Sequence, residues 1–128
     1  GFELANRTAL PGATLGLSLL WAADSQPARA YTVFVHLLDA QGAIRGQVDS
    51  EPLGGARPTR GWVAGEYLLD PYRVPVSANA PPGAYRIAIG MYDPLTGERL
   101  MPVDEHGQPL AERRILLPEP IELVAAGR

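Results

Sequence analysis

Apolar residues in this chain recur at every second position, in short runs cut apart by Gly and Pro, and this alternation constrains the fold more than any other feature. In Thr14–Ala23, Leu15, Leu17, Leu19 and Trp21 share one face while Gly16, Ser18 and Leu20 take the other. In Tyr31–Leu38 the odd positions Tyr31, Val33, Val35 and Leu37 oppose Thr32, Phe34, His36 and Leu38. Ala84–Tyr92 sets Tyr85, Ile87, Ile89 and Met91 on one side. Period two is the mark of a half-buried strand, because successive Cβ atoms leave opposite faces of a pleat. Ala43–Asp49, Glu66–Val76, Glu98–Met101 and Arg114–Val124 complete the strand candidates. Pro71 is expected to break the fourth long run. Pro118 and Pro120 make the last an edge strand or split it, since proline cannot donate to a ladder.

The 14 Gly and 13 Pro act as punctuation. Asp39-Ala40-Gln41-Gly42, Asp93-Pro94-Leu95-Thr96-Gly97 and Pro81-Pro82-Gly83 are turn sequences between strands. No segment holds a capped 3.6-residue period, and residues 104–113 have room for one helical turn. Seven to eight strands at such spacing predict an all-β, immunoglobulin-like antiparallel β-sandwich, with a barrel as the alternative. The expected core is Leu15, Leu17, Leu19, Trp21, Val33, Val35, Leu37, Ile87, Ile89 and Met91, with Leu68, Val74 and Val76. One domain of 128 residues is expected, with its core pattern in 2–103, a final loop and edge strand in 104–124 and a tail in 125–128.

Composition excludes several functions. Without Cys there is no disulfide, thiolate nucleophile or Cys-bound metal. The 11 cationic residues, all Arg, are outnumbered by 14 carboxylates. They never run longer than Arg113-Arg114, which argues against a nucleic-acid partner. No apolar run approaches the roughly 20 residues that cross a bilayer, so no membrane insertion by this domain is expected. The chain shows no signal-peptide pattern and reads as a domain cut from a longer protein.

The residues of the longest irregular stretch, Ser50–Gly65, and its flanks form an ordered set. It runs His36-Leu37-x-Asp39-x-x-Gly42, Asp49, Pro58-Thr59-x-x-Trp62-x-x-Gly65-Glu66-x-x-x-Asp70, Pro82-Gly83-x-Tyr85 and Gly90-x-Tyr92-Asp93-x-x-Thr96-Gly97-x-Arg99-Leu100. This set resembles the β-sandwich module at the extracytoplasmic C-terminal end of bacterial multi-pass membrane glycosyltransferases of the dolichyl-phosphate-mannose-protein mannosyltransferase type. The resemblance covers roughly residues 2–103. It implies an extracytoplasmic location, a membrane-embedded part of the same chain as partner, and no catalytic residue here.

Chemistry read from the residues alone is sparse. Four Ser and two His, His36 and His106, offer no nucleophile elbow or triad. Asp39, Asp49, Asp70 and Asp93 could offer oxygen to a cation, but Asp39 and Asp93 are better read as bonding their own turns, and no metal or other cofactor is expected. Glu66 and Asp70 would lie about 13 Å apart by strand rise, too far for a glycosidase pair. Asp49 and Glu51 are nearer but unremarkable. Trp62, Tyr67 and Tyr72, with Arg57, Arg60 and Arg73 near, could form a carbohydrate-binding face. The preferred reading makes Trp62 a plug that closes one end of the sandwich. His36, Asp49, Glu66 and Asp70 are expected to form one polar cluster that pins the long loop to the sheet, with the carboxylates accepting backbone N–H groups of the Pro58–Trp62 turn. The function expected is a non-catalytic accessory domain, a spacer or a contact surface for partner or glycan. The alternative is a carbohydrate-binding module centred on Trp62, Tyr67, Tyr72 and Arg60.

Overall fold

The computed structural model describes residues 1–104 and 106–125; Glu105 and most of the expected tail lie outside the described residues. Two sheets face each other, in the immunoglobulin-like layering expected. Among the described residues the strands number nine rather than seven or eight: β1 Phe2–Leu4, β2 Thr8–Ala9, β3 Thr14–Ala22, β4 Thr32–Leu38, β5 Ile44–Ser50, β6 Tyr67–Pro75, β7 Gly83–Tyr92, β8 Ile115–Leu116 and β9 Ile121–Leu123. The smaller sheet runs β1-β3-β6. The larger runs β2-β9-β7-β4-β5, with β8 also paired to β7. All pairings are antiparallel except β2 with β9.

The alternation does what period two requires. Leu15, Leu17 and Leu19 of β3, Val33, Val35 and Leu37 of β4, and Tyr85, Ile87 and Ile89 of β7 meet between the sheets. Tyr72, Val74 and Val76 join them from β6 and its end, and Ile121 and Leu123 from β9. Trp21 and Met91, expected in this core, are half-buried and bridge to a smaller cluster of Ala23, Trp62 and Leu68.

Two strand expectations change. β6 runs unbroken through Pro71, opposite Ser18, because it is an edge strand that among the described residues pairs with β3 alone. Glu98–Met101 forms no strand but a bridge of Arg99 to Tyr92. The last run takes the second of its two expected forms, split around Pro118 and Pro120 into β8 and β9; β9 lies between β2 and β7, so the edge alternative falls.

On one side the sheets nearly touch. The Ser77 N–H donates to the Arg45 carbonyl at 2.8 Å, and a side chain at Gly46 would collide with the Pro75 carbonyl. On the opposite side an apolar cleft of about 290 Å³ opens beside Phe2, Trp21, Ile89 and Ile115.

Candidate functional site

Two polar centres hold the sandwich, one on each sheet, and the sequence motif contributes to both. The first organises the long loop. Asp70, on the inner face of β6, is 1% exposed. Its carboxylate accepts the Trp21 indole N–H at 3.0 Å, the Leu53 backbone N–H at 2.8 Å and the Tyr72 hydroxyl at 2.6 Å. Three donors are what a buried carboxylate needs once it has left water. Leu53 sits at φ 54°, ψ 42°, a left-handed conformation that costs a branched side chain free energy. The Asp70 acceptor and the packing of Leu53 on the Trp62 cluster hold it there.

The rest of the loop is tied as closely. The Arg57 guanidinium pairs with Glu66, whose other oxygen accepts the Val63 N–H at 3.1 Å. Arg57 first, then the Val63 N–H, hold the Glu66 carboxyl below its ordinary range. Thr59, 1% exposed, accepts the Tyr31 N–H at 2.9 Å and donates to the Arg29 carbonyl at 2.6 Å. Trp62 is 5% exposed, and its indole N–H donates to the Arg57 carbonyl at 3.0 Å. Its ring centroid lies 6.3 Å from that of Trp21.

This arrangement dismantles the alternative reading, an aromatic sugar site around the loop. Trp62 has no open face for a pyranose. Tyr72 points into the core, where burial and then Asp70 push its hydroxyl pKa far up. Tyr67 is five positions from Tyr72 on a strand and so leaves by the opposite face, 73% exposed. Arg60 is exposed and offers its backbone carbonyl to Gln26.

The expected cluster of His36, Asp49, Glu66 and Asp70 also separates. Glu66 and Asp70 hold the loop to the small sheet, and Asp70 reaches Leu53 rather than the Pro58–Trp62 turn. His36 and Asp49 lie on the outer face of the large sheet, where β4, β5 and β7 run side by side. There Asp49 accepts from Tyr92 at 2.9 Å and Gln47 at 2.7 Å. Phe34 lies flat over Gly90, where an added Cβ would overlap its ring. The Arg99 guanidinium stacks on Phe34, 4.4 Å from its centroid, and His36 packs against the same ring at 4.8 Å. Arg99 is held in turn by the Glu112 carbonyl, and its own carbonyl accepts from Arg113. The His36 imidazole makes no hydrogen bond to a described residue; packing buries it to 7% exposure. It was expected to be satisfied by polar partners, and it is held by rings instead. Burial first, then Arg99 and Arg114, lower its pKa against an opposing pull from Asp49.

The turn carboxylates serve their own backbones. Asp39 accepts the N–H groups of Gln41 and Ala43, each at 2.9 Å, and pairs with Arg45. The Ala43 N–H first, then Arg45, lower its pKa. Asp93 accepts from Leu95 and from Arg29. Asp104, which the sequence reading passed over, does the same for His106 and Gln108. Its signal was available as an Asp three residues before a Gly, as at Asp39 and Gly42. Among the described residues no three His, Asp or Glu side chains converge as a metal site would need, and no helix is long and apolar enough to cross a membrane. No family model matches the chain, and no curated protein matches it.

Proposed function

We propose that this chain is a non-catalytic accessory domain of a membrane glycosyltransferase, extracytoplasmic, and that it serves as spacer and contact surface for the membrane-embedded part of the same parent chain. The ordered residues from His36 to Leu100 support the placement. The observation that carries the contact role is the outer face of the small sheet. Leu20 lies opposite Leu69, and Ala22 opposite Tyr67, in the β3–β6 register. Leu20 is 45% exposed, Leu69 61% and Tyr67 73%, so adjacent pairs form one apolar face on a rigid ladder. Contiguous exposed apolar surface of this kind is what an interaction face offers. The ionisable groups of the motif, by contrast, are taken up in holding the fold.

The test places a photo-crosslinking amino acid at Leu69 in the full-length parent protein. The expected product is an internal crosslink to the membrane-embedded part, absent when the probe is moved to Asn79. A full reading frame without membrane-spanning segments, or a topology reporter that places this domain in the cytoplasm, would refute the reading.

A further inference from the structure

We infer a second, polar site at the end of the large sheet, a pocket of about 240 Å³ that takes one neutral sugar ring. It lies where the segment entering β4 meets the turn leaving β7, and Arg29, Tyr31, Asp93, Thr96, Glu98 and Leu100 line it. Its walls are set by two buried polar residues. Thr59 clamps the backbone of Arg29 and Tyr31 through its hydroxyl. Asp93, 7% exposed, fixes the turn by accepting the Leu95 N–H, and its second oxygen takes Arg29 at 2.8 Å. The Gly97 N–H closes the same turn on the Asp93 carbonyl at 2.7 Å. A site framed this way is organised before any ligand arrives, which lowers the ordering cost of binding.

What remains unused in the pocket is a matched set. Among the described residues, neither the Tyr31 hydroxyl nor the Glu98 carboxylate has a hydrogen-bond partner, and Arg29 has given only one nitrogen to Asp93. The half-buried ring of Tyr31 and the side chain of Leu100 supply apolar surface between them. Donors, acceptors and one aromatic face fit a ligand rich in hydroxyls with an apolar C–H face. Two carboxylates against one guanidinium disfavour an anion. The volume is below the roughly 300–1,000 Å³ of pockets that enclose a whole small ligand, so a single ring is held and the rest of a glycan stays in solvent. This inference rests on the accessory-domain reading only for the source of the glycan.

The experiment titrates the domain with methyl glycosides of mannose, glucose and galactose and follows backbone amide shifts by NMR. The expected result is a saturable shift at Tyr31, Gly97 and Leu100 for at least one glycoside, with a dissociation constant of the order of 1 mM. Tyr31→Phe and Glu98→Gln, which retain the shape of the site, should each weaken it about threefold or more, and Tyr31→Ala should abolish it. Absence of any saturable shift overturns the inference, as does an equal response from glycerol, from inorganic phosphate or from the Tyr31→Ala protein. The Leu69 crosslink does not involve this pocket, so the two proposals fail separately.

Discussion

Replacing Asp70 tests whether the long loop is held by one buried carboxylate. The side chain is 1% exposed and accepts from Trp21, Leu53 and Tyr72. In Asp70→Asn one oxygen becomes an NH₂ group. With the amide oxygen toward Trp21 and Tyr72, the NH₂ faces the Leu53 N–H. With the amide flipped, it faces the Trp21 N–H. Either way a buried donor loses its acceptor, which costs about 1–3 kcal/mol. The Tyr72 hydroxyl can rotate to accept from the amide, so it adds little. Asp70→Ala leaves all three donors unpaired and also opens a void. Loss of the buried charge gives back part of its desolvation cost, and the net expectation is about 3–5 kcal/mol. At about 4 °C per kcal/mol for a domain of this size, the melting point should fall by about 4–12 °C for Asn and about 12–20 °C for Ala. Urea titration followed by tryptophan fluorescence is the assay, since the two Trp rings stand 6.3 Å apart beside this carboxylate. Hydrogen exchange at Leu53 gives the local reading and should accelerate in Asp70→Asn more than exchange at Val35 does. A midpoint for Asp70→Asn within about 0.5 kcal/mol of the parent would refute the reasoning.

Three further outcomes follow from the same geometry. Trp62→Ala should destabilise by about 3–4 kcal/mol and expose residues 51–65 to protease, whereas Trp62→Phe, which loses the N–H donor but keeps a ring, should cost about half as much; gel analysis of timed digests separates them. Gly90→Ala should cost about 1–3 kcal/mol by displacing the Phe34 ring, and much less in a Phe34→Leu background, so a double-mutant cycle in urea should return a coupling above about 0.5 kcal/mol. His36 has a folded pKa below its ordinary 6.5, so the unfolded chain binds the proton more readily. Stability is therefore complete above that value and declines as pH falls through 6.5 toward the folded pKa; melting points from about pH 8 to about pH 5 should show the slope, and His36→Gln should flatten it.

The core could be read in the sequence because it depends on alternation within single strands. The β6 run from Tyr67 to Pro75 alternates exposed and buried at every step, and any sheet that accepts it must bury Leu68, Asp70, Tyr72 and Val74 together. Of Glu66–Val76, only Leu68, Val74 and Val76 read as core in the sequence: Pro71 reads as a break, and hydrophobic patterning alone rejects the charge of Asp70 and leaves Tyr72 to a sugar-binding face. The Gly and Pro turns are equally local, and Gly42 at φ 83° and Gly97 at φ 75° do what their sequences require. Strands of two or three residues carry no usable period, so β2 escapes assignment, and the separation of β8 from β9 is legible only through Pro118 and Pro120.

Neighbour order is what alternation cannot carry, and the site depends on neighbour order. His36 and Asp70 both sit beside apolar positions near one loop in sequence, and nothing local says that β4 lies in one sheet and β6 in the other. Once the large sheet is ordered β9-β7-β4-β5, Phe34 must cover Gly90, Asp49 comes within reach of Tyr92, and Arg99 closes over both strands from a segment more than 60 residues from Phe34. Phe34, His36 and Leu38 on the outer face of β4 are thereby buried, although alternation within the strand says nothing of a second layer to cover them. Most motif residues therefore report two structural demands at once, a pinned loop on the small sheet and a covered face on the large one, while Asp39 and Asp93 fix turns and Asp93, Thr96 and Leu100 frame the pocket. The exposed chemistry left to this domain lies on the Leu20, Leu69 and Tyr67 face and in the pocket between Tyr31 and Glu98.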